Sequence, residues 1–277
     1  MNIKIPRDED TGKIKKLWKT CFGDSDSYLD LFFKTIYKKE LSLCVYENGE
    51  IASFMMSIPK TLYVNGEKVK AAYFGGVCTS PLYRNRGIAS DMIKKAIEEA
   101  AGRGEVPYLI PFRCDFYERL GFSLKSHLTV LEGDIKDLLQ YKTDYKEKEN
   151  FLEIYNAFCM GRDFYEARDK SNFDLTKSFM KVYGGDAFST ENGYMFYSIK
   201  DGVFRAEEIA YKNGHGFCEM MSYIADSGAE RFYLRGAYDM TQMLRVTSAK
   251  LKPCAMVYGN INLKRNVENY INMPIWD

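Results

Sequence analysis

The sequence is poor in the residues that hold metals. It has only two histidines, His127 and His215, and none of its seven cysteines forms a Cys-x-x-Cys pair. Zinc sites are built from closely spaced cysteine and histidine ligands, so we expect no metal. An odd number of scattered cysteines is more typical of reduced thiols in the cytoplasm than of a disulfide framework. We therefore expect free thiols.

Long apolar runs and an excess of one charge are also missing. The longest uncharged run, residues 71–83, is too short to span a bilayer as a helix, and residues 1–9 lack the apolar core of a signal peptide. With 39 basic and 38 acidic residues, the formal net charge is +1. Such a balance gives no overall field for nucleic acid or membrane. The sequence predicts a soluble, cytoplasmic protein with neither of them as a partner.

The sequence does contain a strand, loop and helix between residues 71 and 101. Residues 71–78 are uncharged and are bounded by turn residues, which favours a buried strand. From Ile88 onward, apolar residues recur at helical spacing with charged residues on the opposite face, which predicts an amphipathic helix packed on a sheet. The loop between them leads into a helix N-terminus, where unpaired N–H groups and the helix dipole attract anions. Arg84 and Arg86 add charge, and Gly87 allows close approach.

This loop differs from two common phosphate-binding loops. It lacks the three spaced glycines of a dinucleotide fingerprint and the Gly-Lys-Ser/Thr ending of a P-loop. It also follows an antiparallel meander, in which Asn48-Gly49 and Asn65-Gly66 predict hairpin turns. A Rossmann loop instead follows the first strand of a βαβ unit, so this order excludes it.

The residues before the meander predict two helices. Apolar residues recur at helical spacing through residues 8–22, and Gly23 is placed to end this helix. Either Asp24 or Ser25 is placed to begin the next one. The apolar face of this second predicted helix consists mainly of aromatic residues.

Two motifs resemble the GNAT acetyltransferases. Arg84, Gly87 and Ala89 fit the Arg/Gln-x-x-Gly-x-Gly/Ala motif of that superfamily. Residues 115–122 resemble the short helix that closes the coenzyme site, where we expect Asp115 as N-cap and Glu118 to complete a capping box. The motifs stand in the family's order and cover roughly the first half of the chain. The resemblance implies an α+β fold with a mixed sheet and a catalytic domain over residues 1–131.

The second half, residues 132–277, loosely repeats the order of helices and strands. After Tyr211 it reads Lys-Asn-Gly-His-Gly, without a second Arg-x-x-Gly-x-Ala motif. With the run 21–25, Cys-Phe-Gly-Asp-Ser, this tandem plan resembles acetyltransferases of the enhanced-intracellular-survival type. Longer members carry a sterol-carrier-like domain, which we do not expect here. We predict tandem GNAT-like domains, the second one degenerate and non-catalytic.

The resemblance also implies an activity. It implies acetyl-CoA as co-substrate and transfer of the acetyl group to a primary amine by direct attack in a ternary complex. Tyr117, in the closing helix, is implied as the general acid that protonates the leaving thiolate. Ordinary pKa values of about 10 for tyrosine and about 8.5 for a thiol make this transfer mildly uphill.

The binding residues follow from the same resemblance. The candidates for coenzyme binding are Val77, Cys78, Thr79, Arg84, Asn85, Arg86, Gly87, Ile88 and Ala89. In this family the first two helices flank the acceptor cleft, so the acceptor candidates are Trp18, Phe22, Tyr28 and Phe32. Plain core packing is the alternative for these aromatic residues.

Several points stay open at this stage. The sequence does not identify the amine acceptor, a small molecule or a peptide, or the general base, since both histidines lie outside recognised motifs. In longer relatives the terminal carboxylate is the base, and no shared motif carries that role to Asp277. Cys78 and Cys114 flank the predicted site and suggest an acetyl-cysteine route, against which we expect direct transfer. A non-catalytic acyl-CoA-binding or regulatory module is the alternative function, and homo-oligomer formation is left open.

Overall fold

The computed structural model of the protein describes residues 2–244, 246–264 and 269–272. They form two compact units. Unit 1 contains residues 2–62, Lys68–Leu124 and Met256–Ile261, and unit 2 contains Tyr63–Glu67, Lys125–Ala255 and the described residues after Ile261. The mixture of helices with parallel and antiparallel strands confirms the predicted α+β class with a mixed sheet. Each unit exchanges segments with the other along the sequence, whereas the predicted domains, 1–131 and 132–277, are continuous stretches; that division stays a prediction.

The elements follow one another along the chain in this order. The first part contains β1 (Ile3–Lys4), α1 (Thr11–Phe22), α2 (Asp26–Thr35), β2 (Ser42–Glu47), β3 (Glu50–Val64), β4 (Glu67–Thr79), α3 (Ile88–Gly102), β5 (Val106–Leu109), α4 (Cys114–Glu118) and β6 (Phe122–Asp134). The second part contains α5 (Phe151–Cys159), β7 (Phe164–Glu166), α6 (Lys170–Val182), β8 (Asp186–Ser189), β9 (Gly193–Lys200), β10 (Val203–Tyr211), α7 (Gly214–Ala225), β11 (Arg231–Gly236), α8 (Met240–Met243) and β12 (Ser248–Tyr258).

The two Asn-Gly turns form as predicted. Asn48 and Gly49 have φ angles of 52° and 79°, and Asn65 and Gly66 have 52° and 88°. A positive φ at both central residues defines the type I′ turn, whose twist matches that of the flanking strands. The first turn joins β2 to β3, and the second joins β3 to β4.

The predicted boundary between the first two helices is also confirmed. Gly23 adopts φ 78° and caps the C-terminus of α1, donating its backbone N–H to the Lys19 carbonyl oxygen. Ser25 is the N-cap of α2, where its hydroxyl accepts the Tyr28 backbone N–H at 3.2 Å. Asp24 is therefore not the cap residue.

Both units contain a parallel strand pair joined by a helix. In unit 1, α3 connects β4 to β5, with Ala71 opposite Val106. In unit 2, α7 connects β10 to β11, with Val203 opposite Arg231. The recurrence of this arrangement matches the tandem plan that the sequence predicts.

The strand beyond each parallel pair comes from the other half of the sequence. The end of β12 pairs with β5 in unit 1, where Met256 lies opposite Leu109. Conversely, the part of β6 in unit 2 pairs with β11, where Val130 lies opposite Arg235. The strand predicted after α4 therefore forms, but its residues 129–134 belong to unit 2, where they pair with β11.

Helix α3 packs its predicted apolar face into the core of unit 1. Its buried residues are Ile88, Met92, Ile93, Ala96, Ile97 and Ala100, which cluster with Ala72 and Phe74 of β4. This packing fixes the N-terminus of α3 at the end of β4, where the predicted phosphate loop lies.

Candidate active site

Strand β4 loses its regular conformation at Gly76, just before the predicted coenzyme-binding residues. Gly76 has φ 64°, in the left-handed region. A Cβ atom there would lie 2.8 Å from Trp18 Cη2, so the indole ring packs directly on the glycine. Only glycine meets both demands without strain. The Gly75-Gly76 pair inside an apolar strand is the sequence signal for this feature, and the sequence reasoning missed it.

Strands β4 and β5 part before the predicted site. Their last paired residues are Tyr73 and Tyr108, and within the described chain Val77, Cys78 and Thr79 have no partner on β5. On the other side of β4, the Ser53 hydroxyl donates to the Cys78 carbonyl oxygen at 2.7 Å. The end of β4 is thus held from one side, while its other edge offers backbone groups to an extended ligand.

The loop after β4 leads into an open helix N-terminus. Asn85 has φ 62° and Gly87 has φ 76° as the N-cap of α3. No described side chain caps the first turn of this helix, and a Cβ on Gly87 would face open space. Uncapped N–H groups and the helix dipole suit an anionic group. The predicted loop residues are thus brought together, and their role in phosphate binding stays a prediction.

Two guanidinium groups lie on this loop. Arg84 donates through Nε to the Thr79 carbonyl oxygen at 3.1 Å. Arg86 lies over the Tyr83 ring, with its Cζ atom 5.3 Å from the ring centroid. Within the described residues, neither arginine forms an ion pair with a carboxylate. Two positive charges beside the open N-terminus of α3 favour an anionic ligand.

The closing helix forms where it was predicted, but its cap differs. Helix α4 has Arg113 as N-cap, so the capping box predicted for Asp115 and Glu118 is wrong. The Asp115 carboxylate instead contacts Arg113 at 2.6 Å and Arg119 at 3.1 Å. Two neighbouring guanidinium groups compete successfully with the backbone N–H groups for this carboxylate.

Tyr117 of α4 lies in the core of unit 1. It is 9% exposed and packs against Phe116 and Phe122, with ring centroids 5.0 and 5.9 Å away. Burial raises the pKa of Tyr117 to about 12. The hydroxyl therefore keeps its proton throughout the physiological pH range, as a proton donor must.

The four acceptor candidates have different surroundings. Trp18, Tyr28 and Phe32 are buried, at 3%, 2% and 0% exposure, and the Trp18 Nε1–H donates to Asp24 at 2.7 Å. This burial supports the core interpretation for these three residues. Phe22 is 49% exposed, and for it the acceptor role stays a prediction.

The cysteines considered for an acetyl-cysteine route are protonated thiols. Burial raises the pKa of Cys78 and of Cys114, which makes both poor nucleophiles near neutral pH. Sequence reasoning missed a third cysteine, Cys21. Its sulfur lies 3.5 Å from the Thr79 carbonyl oxygen and 4.0 Å from Arg84 Nη2. Its position at the end of the predicted first helix carried no signal of this contact.

Other predicted groups lie elsewhere. His127 is exposed, and His215 lies 3.6 Å from Glu219; both histidines belong to unit 2. Asp277 is outside the described residues. Among the residues that the structure describes, no helix is both long and apolar enough to cross a membrane, and no three histidine, cysteine or acidic side chains cluster as metal ligands.

The split strand pair and the open helix N-terminus are the two features that would suit an extended ligand with an anionic group. Residues 2–125 match the sequence profile of the acetyltransferase (GNAT) domain family. The match covers both motifs on which the predicted resemblance rests.

Solved structures share the fold well beyond that domain. A GCN5-related N-acetyltransferase from Anabaena variabilis superposes with a TM-score of 0.76 at 17% identity, over 92% of this chain and 72% of its own. Eis1 from Mycobacterium abscessus superposes with a TM-score of 0.70 at 14% identity, over 93% of this chain and 73% of its own. Saccharomyces cerevisiae N-myristoyltransferase with bound myristoyl-CoA superposes with a TM-score of 0.58 at 11% identity, over 98% of this chain and 88% of its own. No curated protein sequence matches the chain. At these identities the likeness shows the fold alone, and it agrees with the predicted resemblance to the enhanced-intracellular-survival type.

Proposed function

We propose that the protein is an acetyl-CoA-dependent N-acetyltransferase of the enhanced-intracellular-survival type, which acts in the cytoplasm on a primary amine. One observation carries the proposal: the unpaired edge of β4 leads directly into the uncapped N-terminus of α3, beside Arg84 and Arg86. An extended chain with a diphosphate at one end fits both parts at once. Coenzyme A has that chemistry, and the related yeast fold holds myristoyl-CoA.

The coenzyme is bound mainly by backbone groups in this proposal. The pantetheine arm pairs with Val77, Cys78 and Thr79 in the place that β5 leaves open. The diphosphate lies against the N–H groups at the start of α3, from Gly87 to Ala89. A backbone N–H of β4 that polarises the thioester carbonyl would act like an oxyanion hole.

The acetyl group moves by direct attack. The amine nitrogen adds to the thioester carbonyl carbon, the carbon–sulfur bond breaks, and Tyr117 gives its proton to the departing thiolate. Proton transfer from a donor of pKa about 12 to a thiolate whose thiol has a pKa of about 8.5 costs roughly 5 kcal/mol. This cost exceeds the mildly uphill step predicted from ordinary values. Burial of the thiolate beside Tyr117 narrows the gap, since it disfavours that anion too.

The second domain has no catalytic role in this proposal. At the corresponding start of α7, the Asn213 side chain accepts the Gly216 backbone N–H at 3.0 Å. This cap occupies a donor that is open in α3, and the loop carries no arginine. The contrast between the two helix N-termini supports a single coenzyme site, in unit 1.

Calorimetric titration with acetyl-CoA tests the coenzyme site. We expect Gly87→Glu to abolish binding, because a carboxylate and its side chain would occupy the phosphate position. Gly104→Glu is the matched control: Gly104 also has a positive φ, 68°, faces open space, and lies just past the opposite end of α3. This control should bind like the wild-type protein.

The outcomes separate the candidate functions. Unchanged binding by a folded Gly87→Glu variant would refute the phosphate loop, and absence of binding by the wild-type protein would refute the acetyltransferase proposal. Binding without release of free coenzyme A thiol, across small amines and peptides, would favour the non-catalytic acyl-CoA-binding module.

A further inference from the structure

A second opening between parallel strands lies in unit 2. The described pairs of β10 and β11 end at Ala206 and Leu234, although β10 continues to Tyr211. Just past the last pair, the register of β10 with β9 shifts, as at a β-bulge. In unit 1, β4 and β5 part in the same way, and β4 changes conformation at Gly76 just past its last pair. The two units therefore share an opening at the same position of the parallel pair.

Segment 269–272 of the chain, here called the plug segment, reaches the opening of unit 2. The Asn272 side chain bridges the two parted strands. Its Nδ2 donates to the Glu207 carbonyl oxygen on β10 at 2.9 Å, and its Oδ1 accepts from Arg235 on β11 at 3.2 Å. The main-chain carbonyl oxygen of Asn272 accepts from Arg168. One residue thus supplies hydrogen-bond partners to both strands at the place where their pairing stops.

Two ion pairs fix the guanidinium groups that hold Asn272. Arg235 contacts Glu207 at 3.1 Å, and Arg168 donates two hydrogen bonds to Glu208, at 2.6 and 3.0 Å. The arginine side chains are buried, at 4% and 7% exposure. Because both carboxylates belong to β10, they orient the guanidinium groups independently of the plug segment. Donors that are fixed in this way lower the cost of binding an occupant.

The residues before Asn272 are buried along neighbouring strands of unit 2. Tyr270 and Ile271 are both 0% exposed. The Tyr270 backbone N–H donates to the Phe164 carbonyl oxygen of β7 at 2.8 Å, and the Ile271 carbonyl oxygen accepts from Cys254 Sγ of β12 at 2.7 Å. Main-chain hydrogen bonds combined with buried side chains are the way in which proteins bind extended peptides.

We propose that the opening between β10 and β11 is a peptide-docking groove whose occupant is the plug segment, recognised through Asn272. The groove suits an extended peptide in which an aromatic residue, an aliphatic residue and an asparagine follow one another, as in Tyr270, Ile271 and Asn272. The inference goes beyond acetyl transfer and does not depend on it, because every contact that carries it lies within unit 2.

The charges at this groove favour a peptide over a second coenzyme. Arg168 and Arg235 are paired with Glu208 and Glu207, so these four groups balance in charge. The nearby start of α7 is capped by Asn213. A diphosphate would therefore meet two carboxylates and a capped helix, whereas a neutral amide side chain fits the paired groups without adding charge.

Cleavage of the folded, full-length protein beside the plug segment tests the groove. A recognition site for a specific protease is inserted after Lys264, which is exposed, and the purified protein is then cut. We expect the fragment with residues 265–277 to co-elute with the rest of the protein on size-exclusion chromatography in native buffer, and to separate from it in denaturant. Separation in native buffer from a protein that stays folded by circular dichroism would overturn the proposal.

Two substitutions in the cleavable protein test recognition through Asn272. Asn272→Leu keeps a similar side-chain shape but removes both hydrogen bonds of the amide, so we expect its fragment to bind roughly 100-fold more weakly and to separate on the column. Asn262→Leu is the matched control: Asn262 is exposed, and its main-chain carbonyl oxygen accepts from Asn65. This control should retain its fragment. Retention in both variants, or release in both, would contradict the role of Asn272.

Competition by synthetic peptides gives a readout that needs no folded variant. A labelled peptide of residues 265–277 is added in excess to the cleaved wild-type protein in partly denaturing urea, which is then diluted so that slow dissociation does not prevent exchange. We expect the labelled peptide to be incorporated, with a rise in fluorescence anisotropy, and the Asn272→Leu peptide to compete roughly 100-fold more weakly than the unlabelled wild-type peptide. Equal competition would refute recognition through Asn272, and no incorporation would refute the groove.

Discussion

At the scale of single residues, the structure changes the acidity expected of Tyr117. Tyr117 fits its predicted position in the closing helix, but burial among aromatic rings gives it a much weaker acidity than the sequence suggests. The identity of a residue predicts its ordinary pKa, whereas burial and neighbours set the actual one. The contact between the Cys21 sulfur and the Thr79 carbonyl oxygen shows the same limit, because only folding brings these two distant positions together.

Replacing Tyr117 with phenylalanine tests its role as proton donor. We expect Tyr117→Phe to bind acetyl-CoA with unchanged affinity, because the ring stays in the core, and to lose about 100-fold or more in kcat. The raised pKa has a direction that can be checked as well. The acid works while protonated, so the wild-type protein should show no loss of kcat from Tyr117 ionisation until the pH nears 12. A Tyr117→Phe variant with wild-type kcat would remove the residue from the mechanism.

At the scale of elements, the predictions that depend on a few neighbouring residues were correct. Both Asn-Gly turns and the boundary at Gly23 and Ser25 formed as predicted, since each depends on backbone preferences of neighbouring residues. Helix α6 was not predicted, although Asp169 and Asn172 form a capping box at its start. A capping box was wrongly predicted at Asp115, because Arg113 and Arg119 donate hydrogen bonds to its carboxylate.

The interruption of β4 can be tested through Gly76. We expect Gly76→Ala to lower the free energy of unfolding by roughly 2–4 kcal/mol, because the new methyl group overlaps Trp18 and φ stays positive. In the control Gly49→Ala, φ is 79° but nothing lies within 4 Å, so only the backbone strain of about 1 kcal/mol remains. Urea denaturation measures both. Equal losses in the two variants would mean that Trp18 does not constrain this strand.

At the scale of the whole molecule, the sequence predicts two similar halves but not their exchanged strands. Apolar and polar residues alternate in residues 122–131 and 248–258, as they do in many strands. Neither pattern indicates which strand it pairs with. Pairing over long separations is decided by register and by the available sheet edge, which local patterns do not contain. The tandem plan was therefore accessible from sequence, whereas the segments that complete each unit were not.

A fragment of residues 1–131 tests the importance of the exchange. It contains both GNAT motifs but lacks Met256 and Val257, which pair with β5 and are fully buried. We expect this fragment to aggregate or to remain expanded on size-exclusion chromatography, because it exposes a strand edge and part of its core. A compact, monomeric fragment that binds acetyl-CoA would instead show that residues 256–261 are dispensable.

The exchanged strand also sets the order in which the protein can be made. A ribosome releases the loop 80–87, α3 and α4 early, but the strand that pairs with β5 is encoded after residue 255. The N-terminal unit must therefore wait, with one edge of β5 unoccupied, while more than a hundred further residues are translated. The half of the molecule that is encoded first is thus completed only near the end of synthesis, and until then the bare edge of β5 is exposed to pairing with a wrong strand.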